Sequence, residues 1–575
     1  MLFVTLLAIY SCKKDPAGNK TTTNTNTVPP STGNTPETIV KGTDPDNALT
    51  QGFFLDNSWQ AKTFVAPTTQ DITKPPVSSI TVSIDLSKVI TKVSPYLFGN
   101  NTNPFMGQFV DQPVLMSNLT TLSPNILRFP GGSLSDIYFW NGTNQAPADA
   151  PPQLLDLNGT SSAAGYWYGN NTASWTFTLD NYYKVLQQVH STGLITVNYG
   201  YARYGTGAHP DQAAAHLAAD WVRYDKGRTK YWEIGNENFG TWEAGYRINT
   251  TNNHDGQPAM LTPDLYGTHF KVFADSMRAA AKETGATIQI GIVLTEANDN
   301  IGGWNAGVLA AAGNSADFFV VHNYYTPYQQ NSTPDVILST PVPVTKSTMD
   351  WVKSSVQGAG VTQKPVAMDE YNITSIGSNQ MVSQIAGVHG VMVLGEMLKN
   401  QFSMGARWDL ANAWDKGDDM GMFNNQSDPS NIEPGAPAWN ARPAFYYMYY
   451  FQKYFGDRMV ASTVNGSSDI LSYASSFTSG QAGDILVNKS SNDHTVILSI
   501  SNFLPGTKYY FYVLKGGVDA LFSRKVNING NVTSAVSGGP DNFISIPANS
   551  AAIQGGITVD VPAYGVVYLV ADKSN

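Results

Sequence analysis

One cysteine, Cys12, stands in 575 residues, so neither a disulfide framework nor a thiolate zinc site can form. Charge is scarce too. Asp, Glu, Lys and Arg make up 14% of the chain, and 34 basic against 44 acidic residues leave a formal charge of −10. Counterion release on DNA or RNA needs a basic surface, so a nucleic-acid partner is disfavoured at a pI near 5.3. No apolar run approaches the roughly 20 residues of a membrane helix. What is plentiful is aromatic: 29 Tyr, 25 Phe and 12 Trp, flat rings of the kind on which an uncharged, polyhydroxylated ligand such as a sugar stacks. Hydrophobic residues at 42% describe a globular chain, long enough for one large domain and a smaller one.

Cys12 ends the apolar run Leu2 to Tyr10 and is followed by Lys13-Lys14-Asp15. This resembles the end of a bacterial lipoprotein signal, which implies cleavage before Cys12 and acylation of its thiol. The mature chain is then expected to be held by lipid in a bacterial envelope, its catalytic part outside the cytoplasm. Residues 13–50, rich in Thr, Asn, Pro, Gly and Ser, read as a disordered tether.

In residues 51–92 the alternation of Ile80, Val82, Ile84 and Leu86 with polar residues predicts a half-buried strand that joins a later sheet. Between Pro95 and Asp415 eight short apolar runs alternate with helical patterns. They are Tyr96–Gly99, Asn125–Phe129, Leu194–Tyr199, Lys230–Ile234, Ile288–Val293, Phe318–His322, Pro365–Asp369 and Gly405–Trp408. One helix starts at Thr262-Pro263 and stops at Gly285. No glycine-rich nucleotide fingerprint follows the first strand, so the pattern predicts an α/β fold of the (β/α)₈ type, a TIM barrel, over residues 93–440. After a helical stretch from Pro443 to Phe455 only strand patterns remain, and residues 441–575 are expected to form an antiparallel β-sandwich.

In such a barrel the chemistry sits at the carboxyl ends of the strands. Two glutamates end strands there: Glu237 in Tyr231-Trp232-Glu233-Ile234-Gly235-Asn236-Glu237, and Glu370 in Asp369-Glu370-Tyr371. Cleaving an acetal needs one carboxyl to protonate the leaving oxygen and a second to attack the anomeric carbon or activate water. Asp415, Asp418 and Asp419 do not have EF-hand spacing and read as a solvated rim loop. No cofactor and no metal are expected.

Four motifs in order, Leu127-Arg128-Phe129-Pro130-Gly131-Gly132, Tyr231 to Glu237, His322-Asn323-Tyr324-Tyr325 and Asp369-Glu370-Tyr371, resemble glycoside hydrolases of clan A, most closely family 51, the α-L-arabinofuranosidases. The resemblance implies a retaining enzyme with Glu237 as acid/base and Glu370 as nucleophile. It implies that Asn236 holds the hydroxyl beside the anomeric carbon, that Arg128 lies near the nucleophile, and that His322 and Tyr324 contact the acid/base and the sugar. Trp408, ending the eighth strand, is the expected stacking floor. The chain departs from the family where Gly99 is followed by Asn100-Asn101-Thr102-Asn103 rather than a nearby Glu, and where Ser133 replaces a frequent Cys. An endo-acting β-glucanase, xylanase or xyloglucanase is therefore the alternative substrate class, and a non-catalytic glycan-binding lipoprotein the alternative of another class. The expected partner is an oligo- or polysaccharide, with no nucleic acid and the membrane reached only through lipid.

Overall fold

The computed structural model describes residues 39–76, 78–297, 302–425 and 431–574. Cys12 and the signal-like run lie outside them. Eight parallel strands close into a barrel: β1 (Gly99–Asn101), β2 (Ile126–Phe129), β3 (Thr192–Val197), β4 (Tyr231–Ile234), β5 (Gln289–Val293), β6 (Phe318–Tyr324), β7 (Val366–Asn372) and β8 (Met404–Arg407). Seven of the eight apolar runs predicted as strands are barrel strands; the first, Tyr96–Gly99, is mostly a 3-10 turn over Pro95–Leu97, and the strand begins at its last residue, Gly99. A helix follows each one: α1 (Pro113–Leu122), α2 (Leu179–Val189), α3 (Pro210–Asp225), α4 (Pro263–Thr284), α5 (Trp304–Ala312), α6 (Pro341–Gly358), α7 (Gln384–Lys399) and α8 (Pro443–Tyr454). Strands buried on both faces must be continuously apolar, which is why they read as runs rather than as alternation.

Helix α4 shows the local logic. Pro263 opens it with a φ already helical, Phe270, Phe273 and Met277 bury one stripe against the barrel, and Gly285 ends it at φ 72°, a left-handed turn that favours glycine. Thr262 precedes it in extended conformation, yet its hydroxyl makes no capping bond.

The amino end of the barrel is plugged. Phe54, fully buried, stacks on Tyr231 at 4.5 Å and meets Phe318 edge-on at 5.3 Å. Thr50 and Gln51 are buried, and the Thr50 carbonyl accepts from the Val366 amide. The expected tether therefore ends before residue 50: the Val40 amide is bound by Asn502, and Asp44 pairs with Arg458.

The strand expected near Ile80 runs over Ile80–Lys92 and lies inside a twelve-stranded sheet, antiparallel to Arg458–Asn465 and parallel to His494–Ser501. Its inward Ile80, Val82 and Ile84 share a second core with Val460, Leu486, Val496 and Val559. Helix α8, placed by composition in the second domain, completes the barrel's helical layer instead. It packs beside α7 and α1, with Gln452 donating to the Ser123 carbonyl, while Tyr568 of the sheet donates to the Tyr447 carbonyl. Its aromatic residues serve both neighbours, so no composition break marks the boundary. No described helix is long and apolar enough to cross a membrane.

Candidate active site

Arg128, fully buried on β2, is the centre of the carboxyl-end rim. Its Nε donates to Glu233 at 2.8 Å, Nη1 to Glu370 at 2.7 Å and Asn101 at 3.0 Å, and Nη2 to Asn236 at 2.9 Å. Nε also lies 3.4 Å from Asp369. Three carboxyl groups thus share one guanidinium, which raises its own affinity for a proton against the opposing effect of burial.

Glu370 and Asp369 are consecutive, and consecutive strand residues ordinarily face opposite ways. Here the register slips: Val321 pairs with Met368, but His322 pairs with Glu370, leaving Asp369 as the extra residue of a bulge. Bulges re-aim side chains. Both carboxyls consequently reach the same cluster. On β6 the two-residue period puts His322 and Tyr324 on one face, and Tyr324 donates to Glu370 at 2.9 Å.

Glu237 lies on the turn after β4, in the left-handed region at φ 41°. That turn begins at Gly235, φ 78°, where a Cβ would come within 2.0 Å of Asn238 Oδ1. Asp136 holds the turn from behind, accepting from Asn238 Nδ2 at 2.7 Å and from the Tyr199 and Gly200 amides at 3.0 and 2.9 Å. Glu237 Oε1 is 2.8 Å from His322 Nδ1, and Oε2 accepts from Trp242 Nε1 at 3.2 Å. Oxygens of Glu237 and Glu370, together with a His322 ring nitrogen, all lie within 4.8 Å of one another. Of the residues singled out from sequence, Arg128, Asn236, Glu237, His322, Tyr324 and Glu370 converge here. Trp408 lies over the turn after β2, where a Cβ on Gly132 would come within 2.4 Å of its ring.

The charges within the cluster decide where protons sit. Burial disfavours charge on Glu237, but the His322 hydrogen bond and its positive charge outweigh this and hold the carboxyl below its usual range. Burial dominates at Glu370 and pushes it up despite His322 and Arg128. Glu233 is pushed up to about 7, again by burial. His322 is raised well above its usual value, because Glu370, Asp369 and Glu237 together overcome its own desolvation. The cluster therefore favours charge on Glu237 and His322 and disfavours it on Glu370. His322 Nδ1 and Glu237 Oε1 face each other at 2.8 Å, each favouring the charged form of the other.

Two trios, Glu233–His322–Asp369 and Glu237–His322–Glu370, have the proximity to hold a cation. Arg128 already faces Glu233 and Glu370 at hydrogen-bond distance, so the fixed guanidinium supplies the positive charge that a metal would bring.

Sequence reading did not assign roles to Glu233, Asp369, Asn101, Asp136, Trp242 or Glu243. Glu233 carried a signal, an acid within an otherwise apolar strand; the rest depend on the bulge and on loop geometry. Of the aspartates after β8, Asp418 and Asp419 are corrected. Asp415 is exposed, but Asp419 is fully buried and accepts from the Asp415 amide, and Asp418 accepts from the Gly377 amide. Asp418 and Asp419 tie loops together, while Asp415 faces solvent as expected.

Residues 118–337 match the family model described as alpha-L-arabinofuranosidase 1 domain. An intracellular exo-alpha-(1->5)-L-arabinofuranosidase of Acetivibrio thermocellus is 22% identical over 278 residues, 45% of this chain and 48% of that protein. The chain thus spans about half the length of this curated relative. A family 51 α-L-arabinofuranosidase from Bifidobacterium longum superposes with a TM-score of 0.61 at 16% identity, covering 86% of this chain and 100% of the other. A family 44 endoglucanase from Clostridium thermocellum gives 0.54 at 12% identity, covering 86% and 100%. At such identities the structural likeness is one of fold. Motifs, family model and fold agree that the chain is similar to clan A glycoside hydrolases, and most of all to the α-L-arabinofuranosidases of family 51.

Proposed function

We propose that the chain is a retaining glycoside hydrolase of the α-L-arabinofuranosidase type, acting on plant-type polysaccharide, with Glu237 as acid/base and Glu370 as nucleophile. One observation carries this reading. The two carboxyl groups stand on one rim, Glu237 on the turn after β4 and Glu370 on β7, with one oxygen of each within 4.8 Å of the other. Retaining enzymes hold their carboxyls about 5 to 5.5 Å apart, whereas inversion needs roughly 6.5 to 9.5 Å to admit a water between them.

The chemistry follows from the contacts. Glu370 attacks the anomeric carbon as Glu237 gives its proton to the glycosidic oxygen, breaking that bond and leaving a glycosyl ester on Glu370. Water then attacks the same carbon, Glu237 takes its proton, and the ester bond breaks to release the sugar and the Glu370 carboxylate. Arg128 and Tyr324 each donate to an oxygen of Glu370, which steadies the carboxylate that departs in the second step. The proton that Glu237 takes from water restores its starting state, and His322, 2.8 Å from Oε1, holds the carboxyl in place.

Hydrolysis of 4-nitrophenyl α-L-arabinofuranoside, set beside β-glucosyl and β-xylosyl analogues and plant polysaccharides, tests the reading. Arabinofuranoside turnover that Glu370→Ala abolishes is expected; a full-rate alanine variant overturns the assignment. The endo-β-glycanase reading is favoured by one observation, the Asn100-Asn101 pair where arabinofuranosidases place a Glu, and polysaccharide products of intermediate length would select it. Two further parts belong to the proposal. The twelve-stranded sheet forms a sandwich, since the strands Arg458–Asn465 and Ile470–Ser476 pair at only two residues and a core cluster of its own fills the sheet. Lipid on Cys12 anchors the mature protein in the envelope, outside the cytoplasm.

A further inference from the structure

Asn236 is held at both ends of its side-chain amide. A guanidinium has donors only, so Arg128 Nη2 selects the carbonyl end and donates to Oδ1 at 2.9 Å. That turns Nδ2 towards Glu243, whose Oε1 accepts from it at 3.1 Å. The loop after β4 is folded tightly to bring Glu243 back to Asn236. The Gly240 carbonyl accepts from the Glu243 amide and the Glu243 carbonyl from the Tyr246 amide, each at 3.1 Å. Ser133, on the turn after β2, steadies the carboxyl from the other side by donating to the same Oε1 at 2.7 Å. A hydroxyl donates well where a thiol donates weakly, so the serine at this position has a use that a Cys would serve poorly. Glu243 is 3% exposed, and its second oxygen, Oε2, is buried with no hydrogen-bond partner. A bare charged oxygen in such a place is costly. Burial, with Asp136 and Glu237 near, accordingly pushes the carboxyl well above its usual range and favours the uncharged form.

We propose that Glu243 is a positioning residue: it fixes the Asn236 amide so that the N–H left on Nδ2 meets the hydroxyl beside the anomeric carbon, and it thereby sets how strongly the enzyme requires that hydroxyl. The inference rests on the glycosidase reading above and on Asn236 being the contact to that hydroxyl. An amide free to turn about its last bond presents either Oδ1 or Nδ2 to a sugar. Clamped between Arg128 and Glu243 it has one arrangement, with one N–H of Nδ2 spent on Glu243 and one remaining. The same row of hydrogen bonds ends on the nucleophile, because Arg128 Nη1 donates to Glu370. The hydroxyl contact is therefore held in register with the carboxyl that attacks the neighbouring carbon, and such contacts work only when held to about 0.5 Å. Glutamine at position 243 has a carbonyl oxygen that accepts from both Ser133 and Asn236, and it resembles the uncharged carboxyl. Leucine has a similar volume and accepts from neither.

The test compares kcat/KM for 4-nitrophenyl α-L-arabinofuranoside and for its 2-deoxy analogue in the parent, Glu243→Leu, Glu243→Gln, Asn236→Ala and the double variant of Glu243→Leu with Asn236→Ala. The ratio of the two values reads the contact to the 2-hydroxyl, while a loss of folded enzyme or of acid strength cancels in it. Glu243→Leu is expected to lower the ratio about tenfold, the size of one hydrogen bond, and Asn236→Ala at least as far. The double variant should fall no further than Asn236→Ala alone, because the two residues act through one contact. Glu243→Gln keeps most of the ratio. Should Glu243→Leu not fold, Glu243→Ala carries the same comparison, since its methyl group accepts from neither partner. Equal losses on both substrates in the leucine or alanine variant overturn the proposal. So does a glutamine variant whose ratio falls as far as theirs, or a double variant whose loss is the product of the single ones. An unchanged ratio in Asn236→Ala shows that Asn236 does not bind the hydroxyl, and the proposal falls with it. A parent that turns over no arabinofuranoside fails the substrate reading alone, and the ratio is then taken with the 4-nitrophenyl glycoside of the sugar it does cleave and its 2-deoxy analogue. A parent that cleaves no glycoside overturns both.

Discussion

Replacing Arg128 by methionine keeps most of the side-chain volume and removes the guanidinium. Four hydrogen bonds vanish, and Glu233 and Glu370 are left buried without their cation. Breaking a buried ion pair from one side costs about 3 to 5 kcal/mol. For a compact unit spanning residues 40–575 the unfolding entropy is roughly 1.1 kcal/mol/K, so Tm falls by about 3 to 4 °C. The loss depends on pH in a defined direction. Glu233 stands at about 7 in the folded chain against 4.5 for a free carboxyl, so the folded state binds its proton more tightly. A carboxyl raised on folding makes stability fall as pH climbs from about 4.5 towards its folded value. Removing Arg128 raises Glu233 and Glu370 further, because the cation no longer favours their charged forms. The deficit of the variant is therefore small at pH 5 and full by pH 8. Calorimetric unfolding of parent and variant at both values reads this out. A Tm difference that is the same at pH 5 and pH 8, or one that is larger at pH 5, would refute the reasoning.

Glu237→Gln is expected to lower kcat/KM by about 10²- to 10⁴-fold for alkyl leaving groups and far less for 2,4-dinitrophenolate, which departs without a proton; equal losses on both would remove the acid from Glu237. His322→Asn removes the neighbour that holds Glu237 below its usual range and leaves burial unopposed, so the alkaline limb of kcat/KM should move to higher pH, and an unmoved limb would show that His322 does not set the acid's proton affinity. Lys62, lowered to about 8 chiefly by burial, binds its proton less tightly folded than unfolded, so its contribution makes stability rise between about pH 8 and 10.5; Lys62→Met should flatten that rise in a denaturant titration. Cys12→Ser should release the protein from the membrane fraction, and a variant as membrane-bound as its parent would end the lipid-anchor proposal.

The barrel was legible because burial on both faces makes most of its strands short apolar runs, several of them followed by helices with proline starts; the first strand, Gly99-Asn100-Asn101, was legible only through the apolar turn before it. The two glutamates were legible because each follows such a run directly. What lay beyond the sequence depended on one-residue shifts and on packing. Alternation sends Asp369 away from Glu370, and only the bulge after Met368 turns both inward. Asp136, Trp242 and Glu243 lie on loops whose paths hydrophobic periodicity does not describe. The end of the tether was misplaced because Thr50 and Gln51 are polar, although they are buried against the plugged end of the barrel. Asp419 was misread for the converse reason: a charged run was taken as solvated, which holds for Asp415, whereas Asp419 faces Arg442, 3.8 Å away, in the interior.

The central claim is a double displacement by Glu237 and Glu370 on an arabinofuranoside. Proton NMR of the first-formed product from 4-nitrophenyl α-L-arabinofuranoside, recorded before mutarotation, tests it most directly. The account predicts that α-L-arabinofuranose appears first and decays to the anomeric mixture, with no product from Glu370→Ala. A β-anomer appearing first would place a water, not Glu370, at the anomeric carbon and contradict the account.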